Sequence, residues 1–166
     1  MIVVADASPL VALALCESLE VLDKLFGTIK VSRSVYEEVT VHDKPKADVL
    51  EAYLQEKIVD TNLDALVISG TSLDKGELTS IALYRHLKAD YLLIDERAGR
   101  KIAKINEIKI IGTLGVLIQS KRQGVISSIK PQIKILRSSQ IYFAHNLLDH
   151  ALKMAGEAEK GTGEGC

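Results

Sequence analysis

Residues 1–10 read MIVVADASPL, and the step from an apolar run to an acid within them decides the fold. Ile2, Val3, Val4 and Ala5 carry no polar interruption, the pattern of a strand buried on both faces of a parallel sheet, and the run ends on Asp6. Ser8 and Pro9 supply an N-cap and a first helical position, so a helix is predicted to begin at Pro9, directly beyond the strand. The same device recurs at 91–95, where Tyr91, Leu92, Leu93 and Ile94 run into Asp95 and a helical stretch, 97–105, follows.

The rest of the chain continues the alternation. Apolar residues at 19, 21, 22, 25 and 26 keep helical spacing until Gly27 stops them, and Thr28, Ile29 and Val31 suggest a second strand. Ser34 stands where it could cap a helix carrying Val35, Glu37, Glu38 and Val39, and 47–55 reads as an amphipathic helix. In 58–71 the pieces Ile58-Val59 and Leu66-Val67-Ile68 could be short extended segments. Residues 74–87 predict a helix, Ile108, Ile110 and Ile111 a strand, and 114–122 a helix after Gly112-Thr113. Pro131 opens a helical extension whose last helix is expected over 141–154. Strands alternating with helices make an α/β domain with a parallel sheet the leading fold. The expected organisation is a sheet-forming domain over 1–124, a helical extension of it over 125–156 and a glycine-rich, flexible tail over 157–166.

Composition narrows the function. The chain has 166 residues, 47% of them hydrophobic, which fits one domain with a sizeable core. No uncharged run approaches the roughly eighteen apolar residues of a membrane span. The first residues carry no basic leader and contain Asp6, so they do not read as a secretory signal, and a cytoplasmic location is expected. Two cysteines, Cys16 and Cys166, exclude a disulfide framework and a Cys-based zinc site. Few aromatic residues and no Trp argue against stacking platforms for single strands. The net charge of −1 hides an uneven distribution, with sixteen acidic against nine basic residues over 1–95 and two against ten over 96–138. Helix faces that happen to differ in sign would give this. So would a basic surface folded beside an acidic site, as an enzyme acting on a polyanion through bound cations needs.

Ligands of open α/β sheets sit outside the carboxyl ends of the strands, where Asp6 and Asp95 are expected. The helices starting near that edge add Glu38 and Glu77. Glu77 also fits a capping box with Asp74, and of Glu37 and Glu38 only one can point inward with Val35 and Val39. Asp6 and Asp95 are harder to dismiss, because a charge ending a buried apolar strand needs a partner. Two like charges 4 Å apart cost about 4 kcal/mol at an effective dielectric near 20. That is a large share of a total stability of roughly 5 to 15 kcal/mol. A divalent cation is the natural compensation: Mg²⁺ or Mn²⁺ takes hard oxygen ligands together with substrate phosphates and activates water for phosphodiester cleavage.

At this point the residues resemble a family. The strand VVADASPL, the Glu of VYEEV, the helix LDKGELTSIALY, the strand and acid YLLIDERAGRKIA and the following IIGTLGVL together resemble a PIN domain, the fold of VapC-type toxin ribonucleases. The resemblance covers 1 to about 124, and 125–157 is similar to the helical ending of a PIN subfamily. It implies a three-layer α/β/α fold around a mostly parallel sheet, and a Mg²⁺- or Mn²⁺-dependent endoribonuclease. Asp6, Glu38, Glu77 and Asp95 match the acidic constellation as catalytic residues and metal ligands, with Asp6 and Asp95 the direct ones. Ser8 matches the hydroxyl residue that holds a metal-bound water or a carboxylate. The third acid, commonly Asp in VapC-like members, is Glu77 here. Glu96 departs from the commoner sequence and is either an outer ligand or merely exposed; Glu37 is the fallback if the register at VYEEV is wrong. The resemblance further implies an RNA substrate, a small cognate antitoxin and a homodimer.

Arg97, Arg100, Lys101 and Lys104 recur at three- and four-residue spacing after Asp95, so several share a helix face that could meet phosphates or could simply be solvated. Arg33, Lys121 and Arg122 read as surface residues, the four histidines suggest no ligand set, and Thr113 reads as a helix cap. A competing reading is a catalytically inactive PIN-like module that binds RNA or a protein, with Leu147, Leu148, Leu152 and Met154 either facing a partner or packing in the core. A haloacid-dehalogenase-type phosphatase requires Asp at position 8, which is Ser. Neither GxGxxG nor GxxxxGK[ST] occurs, which disfavours a dinucleotide-binding or P-loop protein.

Overall fold

The computed structural model describes residues 1–60 and 73–158. The expected extended piece at 66–68 lies outside them, as do Cys166 and residues 159–166 of the expected tail. The described elements run β1 (Ile2–Ala5), α1 (Ala7–Leu15), α2 (Glu20–Phe26), β2 (Thr28–Ser32), α3 (Arg33–Val39), α4 (Ala47–Leu54) and β3 (Ile58–Val59). They continue with α5 (Lys75–Leu87), β4 (Tyr91–Leu93), α6 (Arg97–Ile105), β5 (Ile110–Ile111), α7 (Thr113–Arg122), α8 (Lys130–Ser138) and α9 (His145–Met154). The strands form one sheet in the order β3-β2-β1-β4-β5. Every pairing is parallel, so the sheet is parallel throughout.

Side chains of successive strand residues point to opposite faces, and the burial follows that period. Val3, Ala5 and Leu93 pack on one face with α1, α2, α7, α8 and α9. Val4, Leu92 and Ile94 pack on the other with α5 and α6. The result is a three-layer α/β/α arrangement whose central strands are buried beyond their half-buried first residues, Ile2 and Tyr91, which explains why β1 and β4 are apolar without alternation.

Several boundaries differ from the sequence reading, each for a local reason. The first helix begins at Ala7, with Asp6 in extended conformation (φ −85°, ψ 171°) serving as strand end and N-cap residue at once. Pro9 still falls within the first turn, where its missing N–H costs nothing. The cap of α3 is Ser32, whose Oγ accepts from the Val35 amide at 3.2 Å, and not Ser34. The last helix starts at His145; the Ser139 hydroxyl bonds the carbonyls of Leu136 and Ile141 and closes a turn ahead of it, leaving Tyr142 exposed. The capping box predicted at Asp74 and Glu77 is present in both directions.

The two C-terminal helices extend the same core. Leu148 and Leu152 are buried with Ile129, Ile133 and Leu136, so of the four residues considered for a partner face only Leu147 and Met154 are exposed. Lys121, read as a surface residue, is half-buried: its ammonium lies 3.2 Å from Glu157 and donates to the Ala155 carbonyl at 2.7 Å. Glu157, placed by composition at the start of the tail, also accepts from the Ser128 hydroxyl and from the Ile129 amide at 2.9 Å. Burial works against the charge, but these donors prevail and hold its carboxyl below the usual range. Glu157→Ala should therefore cost about 1.5 to 3 kcal/mol, the value of a charge-assisted hydrogen bond. That is a fall in Tm of roughly 3 to 10 °C in thermal melts. A melt superimposing on wild type would show that the clasp contributes nothing.

Candidate active site

A parallel sheet puts all its strand ends along one edge, and the order 3-2-1-4-5 places a crevice between β1 and β4, where the connections diverge to the two sides. The Asp6 amide donates to the Leu93 carbonyl at 2.9 Å, so Asp6 stands immediately past the last β1–β4 pair. Asp95 follows β4 two residues later, and the Ile94 amide still bonds the Ile111 carbonyl of β5 at 2.9 Å. The two acids, 89 positions apart in the chain, thus leave neighbouring strands at the same crevice.

Each is oriented by a hydroxyl. Ser80, fully buried on α5, donates to Asp6 Oδ1 at 3.1 Å. Asp6 is 3% exposed, and burial, reinforced by the charges of Glu77 and Asp74 but opposed by the Ala7 amide and Ser80, pushes its carboxyl up to about 7. Asp95 receives both donors of Thr113, the amide at 2.8 Å on Oδ1 and the hydroxyl at 2.5 Å on Oδ2. Burial raises its carboxyl too, against Thr113 and Arg100, with Glu96 adding to the rise. Thr113 therefore does not cap α7; Gly112 occupies the cap position. A methyl group on Gly112 would stand 2.7 Å from Arg100 Nη1 and 2.9 Å from Asp95 Oδ1, so a larger residue there would push one or both of these groups away from the start of α7.

The other acids converge from helix starts. Glu77 is buried at the third position of α5, where its Oε2 accepts from the Asp74 amide at 3.0 Å. Capping and membership of the acidic edge are therefore the same placement for this residue. Glu38, half-buried on α3, lies over Gly76: a methyl there would be 2.9 Å from Glu38 Oε2. Glu37, the other member of the pair, is exposed. Burial raises the carboxyls of both Glu38 and Glu77; Asp74 and Glu96 push further on each, and Lys44 offsets part of it at Glu38. Ser8 Oγ donates to Glu96 Oε1 at 3.0 Å, joining α1 to the start of α6 across the crevice.

The basic residues divide. Arg97, Lys101 and Lys104 are exposed on α6, whereas Arg100 turns back, donating to the Ile94 carbonyl at 3.2 Å beside Asp95. Arg33 pairs with Asp60 through Nε at 2.5 Å. Three positions escaped the sequence reading. Ser80 and Thr113 bond acids 74 and 18 residues away, a separation that leaves no local pattern. Asp74 was read only as a cap, yet its charge reaches Asp6, Glu38 and Glu77.

Among the described residues, no three Asp, Glu, His or Cys side chains stand close enough together to grip an ion as they are. Asp6, Asp95 and Glu77 each accept from a donor of their own instead. The donor set nevertheless suits a hard divalent cation, since it offers carboxylate oxygens that are desolvated, mutually repelling and only partly offset by Arg100 and Lys44. Among the described residues, no helix is long and apolar enough to cross a membrane. Neither a curated protein nor a solved structure matches the chain significantly. Residues 2–157 match the model of a PIN-domain family, DUF3368, and the chain belongs to that family.

Proposed function

We propose that the chain is a Mg²⁺- or Mn²⁺-dependent endoribonuclease that hydrolyses RNA phosphodiester bonds at the crevice between β1 and β4. PIN domains are typically nucleases. The observation that carries the reading for this chain is the placement of Asp6 and Asp95 at the ends of the neighbouring strands β1 and β4, with Glu77 and Glu38 on the helices beside that edge. When bound there, a divalent ion supplies Lewis acidity at the phosphoryl group and a more acidic water. The protein's part is orientation. Ser80 fixes Asp6, Thr113 fixes Asp95 through both oxygens, and the Asp74 amide fixes Glu77. Arg97 and Lys101 on the exposed face of α6 contact the phosphate backbone, while Arg100 keeps the Ile94 carbonyl and Asp95 in place. A small antitoxin covering the edge and a homodimer belong to the same reading; co-purification with the product of a neighbouring short reading frame, and the mass in solution, test them.

Cleavage of a mixed pool of structured and single-stranded RNAs with Mn²⁺, followed by sequencing of the ends, is the direct experiment. Asp6→Asn and Asp95→Asn should each lower the rate by a factor of 100 or more, on the order of 3 kcal/mol in the barrier, while far-UV spectra stay those of wild type. Metal-dependent cleavage that survives unchanged in both variants sinks the assignment. An inactive PIN-like module would show no cleavage by the wild-type chain either.

Asp6 also gives a pH signature. Its carboxyl titrates at 3.8 unfolded and about 7 folded, so between these values the folded chain holds the extra proton and stability falls as pH rises. The whole cost, on the order of 4 kcal/mol, is present above pH 7. In chelator, Asp6→Asn should therefore melt several degrees above wild type at pH 8, and the gap should close towards pH 4. Equal melting temperatures at pH 8 would mean that the buried carboxylate is not under strain.

A further inference from the structure

Beside the acidic edge, the ends of β2, α3 and α5 enclose two adjoining hollows. The outer one, about 310 Å³, is backed by Ser32 and Thr79 and rimmed by Arg33 and Asp60. The inner one, about 270 Å³, reaches over Gly76 to Glu38 and Asp74 of the edge itself. Ser34, Glu37 and Lys75 line both, so these three side chains form the neck between them.

The walls of the neck are braced from behind. Ser32 Oγ and Thr79 Oγ1, both buried, are hydrogen-bonded at 2.8 Å and tie β2 to α5. The Thr79 hydroxyl donates to the Gly76 carbonyl at 2.9 Å, and Ser32 Oγ accepts from the Val35 amide at 3.2 Å, so the starts of α5 and α3 are fixed to the same pair. The charges around the outer hollow balance. Arg33 and Asp60 are interlocked through Nε at 2.5 Å and Nη2 at 3.4 Å, while Lys75 and Glu37 form no ion pair among the described residues. Two cations against two anions exert no net pull on a phosphate. They suit an uncharged group that carries hydrogen-bond donors and acceptors.

The neck also has a chemical order. Ser34 and Glu37, three residues apart, share a face of α3, and Lys75 begins α5 alongside. A carboxylate accepts through two oxygens, whereas the hydroxyl and the ammonium donate. Among the RNA bases, guanine carries the complement on its Watson–Crick edge, with the N1 and N2 donors next to the O6 acceptor. Among the described residues, no aromatic side chain lines either hollow, so a base held here is read by its edge and not by stacking.

We infer that the neck is a guanine subsite, seating a base of the RNA next to the bond that is cut: Glu37 accepts from N1 and N2, and Lys75 and Ser34 donate to O6. The inference rests on the ribonuclease reading above and gives that substrate a base preference. The inner hollow then carries the adjoining backbone from the neck towards the acids.

The test is fluorescence anisotropy of short labelled single-stranded RNAs bound in chelator by the Asp6→Asn chain, where no RNA is cut and the floor repels phosphate less. One RNA contains guanine; its twin has inosine at each of those positions, which removes only the 2-amino group. The guanine RNA should bind about 5-fold or more tightly, within the range of a bidentate base contact. Glu37 is exposed, so adding Glu37→Gln leaves the core untouched, and it should make the two RNAs bind alike at the weaker affinity. Ser34→Leu, which fills the neck, should do the same, whereas Lys24→Gln, on α2 just ahead of the opposite end of β2, should keep the preference. Equal affinity for the two RNAs before Glu37 is changed, or a preference that survives Glu37→Gln, overturns the subsite. With Asp6 restored and Mn²⁺ added, the sequenced ends should carry guanine at a fixed distance from the cut, and Glu37→Gln should abolish that bias. A chain that prefers guanine but cuts nothing overturns the nuclease reading and leaves the subsite standing.

Discussion

The constraint on which this molecule turns is the desolvation of two carboxylates at the ends of its two central strands. Asp6 and Asp95 are where they are because β1 and β4 are buried on both faces and the sheet ends there. Among the described residues, neither forms an ion pair with an ammonium or guanidinium. What each has is hydroxyl and amide donors: Ser80 for Asp6, and the amide and hydroxyl of Thr113 for Asp95. Neutral donors stabilise a carboxylate without cancelling its charge. They therefore leave the negative potential of the crevice intact, which an ion pair would destroy.

Carrying that strain requires stability from elsewhere, and the C-terminal helices provide part of it. They bury Ile129, Ile133, Leu136, Leu148 and Leu152 against the sheet face opposite α5 and α6. The Glu157 clasp fastens their end to the loop before α8 and to Lys121 of α7. This reinforcement lies remote from the crevice, so the chain can gain stability without touching the acids.

Much of this was legible in the sequence, for reasons that differ by element. An apolar run ending in an acid identifies β1 and β4 because a doubly buried strand excludes polar residues until its last position. DKGE identifies the start of α5 because a capping box is local, with its bonds spanning three residues. The register of β3 against β2, by contrast, depends on a two-residue strand whose pairing no periodicity can reveal. The roles of Ser80 and Thr113 were hidden because a serine inside a helix and a threonine after a glycine have ordinary local explanations. Their partners come near only through the parallel topology. Thr113 shows the hazard in particular: the reading as a cap was locally sound, and the hydroxyl was already committed to Asp95.

The charge asymmetry acquires a meaning once the strand order is known. The acidic floor is built from β1, α3, α5 and the end of β4, and the basic block begins immediately after it on α6. On the reading proposed above, a polyanion nearing this edge would meet the exposed Arg97 and Lys101 of α6 and be attracted, while the acidic floor would repel its phosphate. A cation would have the opposite experience, drawn to the floor and repelled by the basic face of α6. Each ligand would then complete the other: a cation held by the acids would cancel the repulsion that keeps phosphate out, and the phosphate would add oxygens to the carboxylate set.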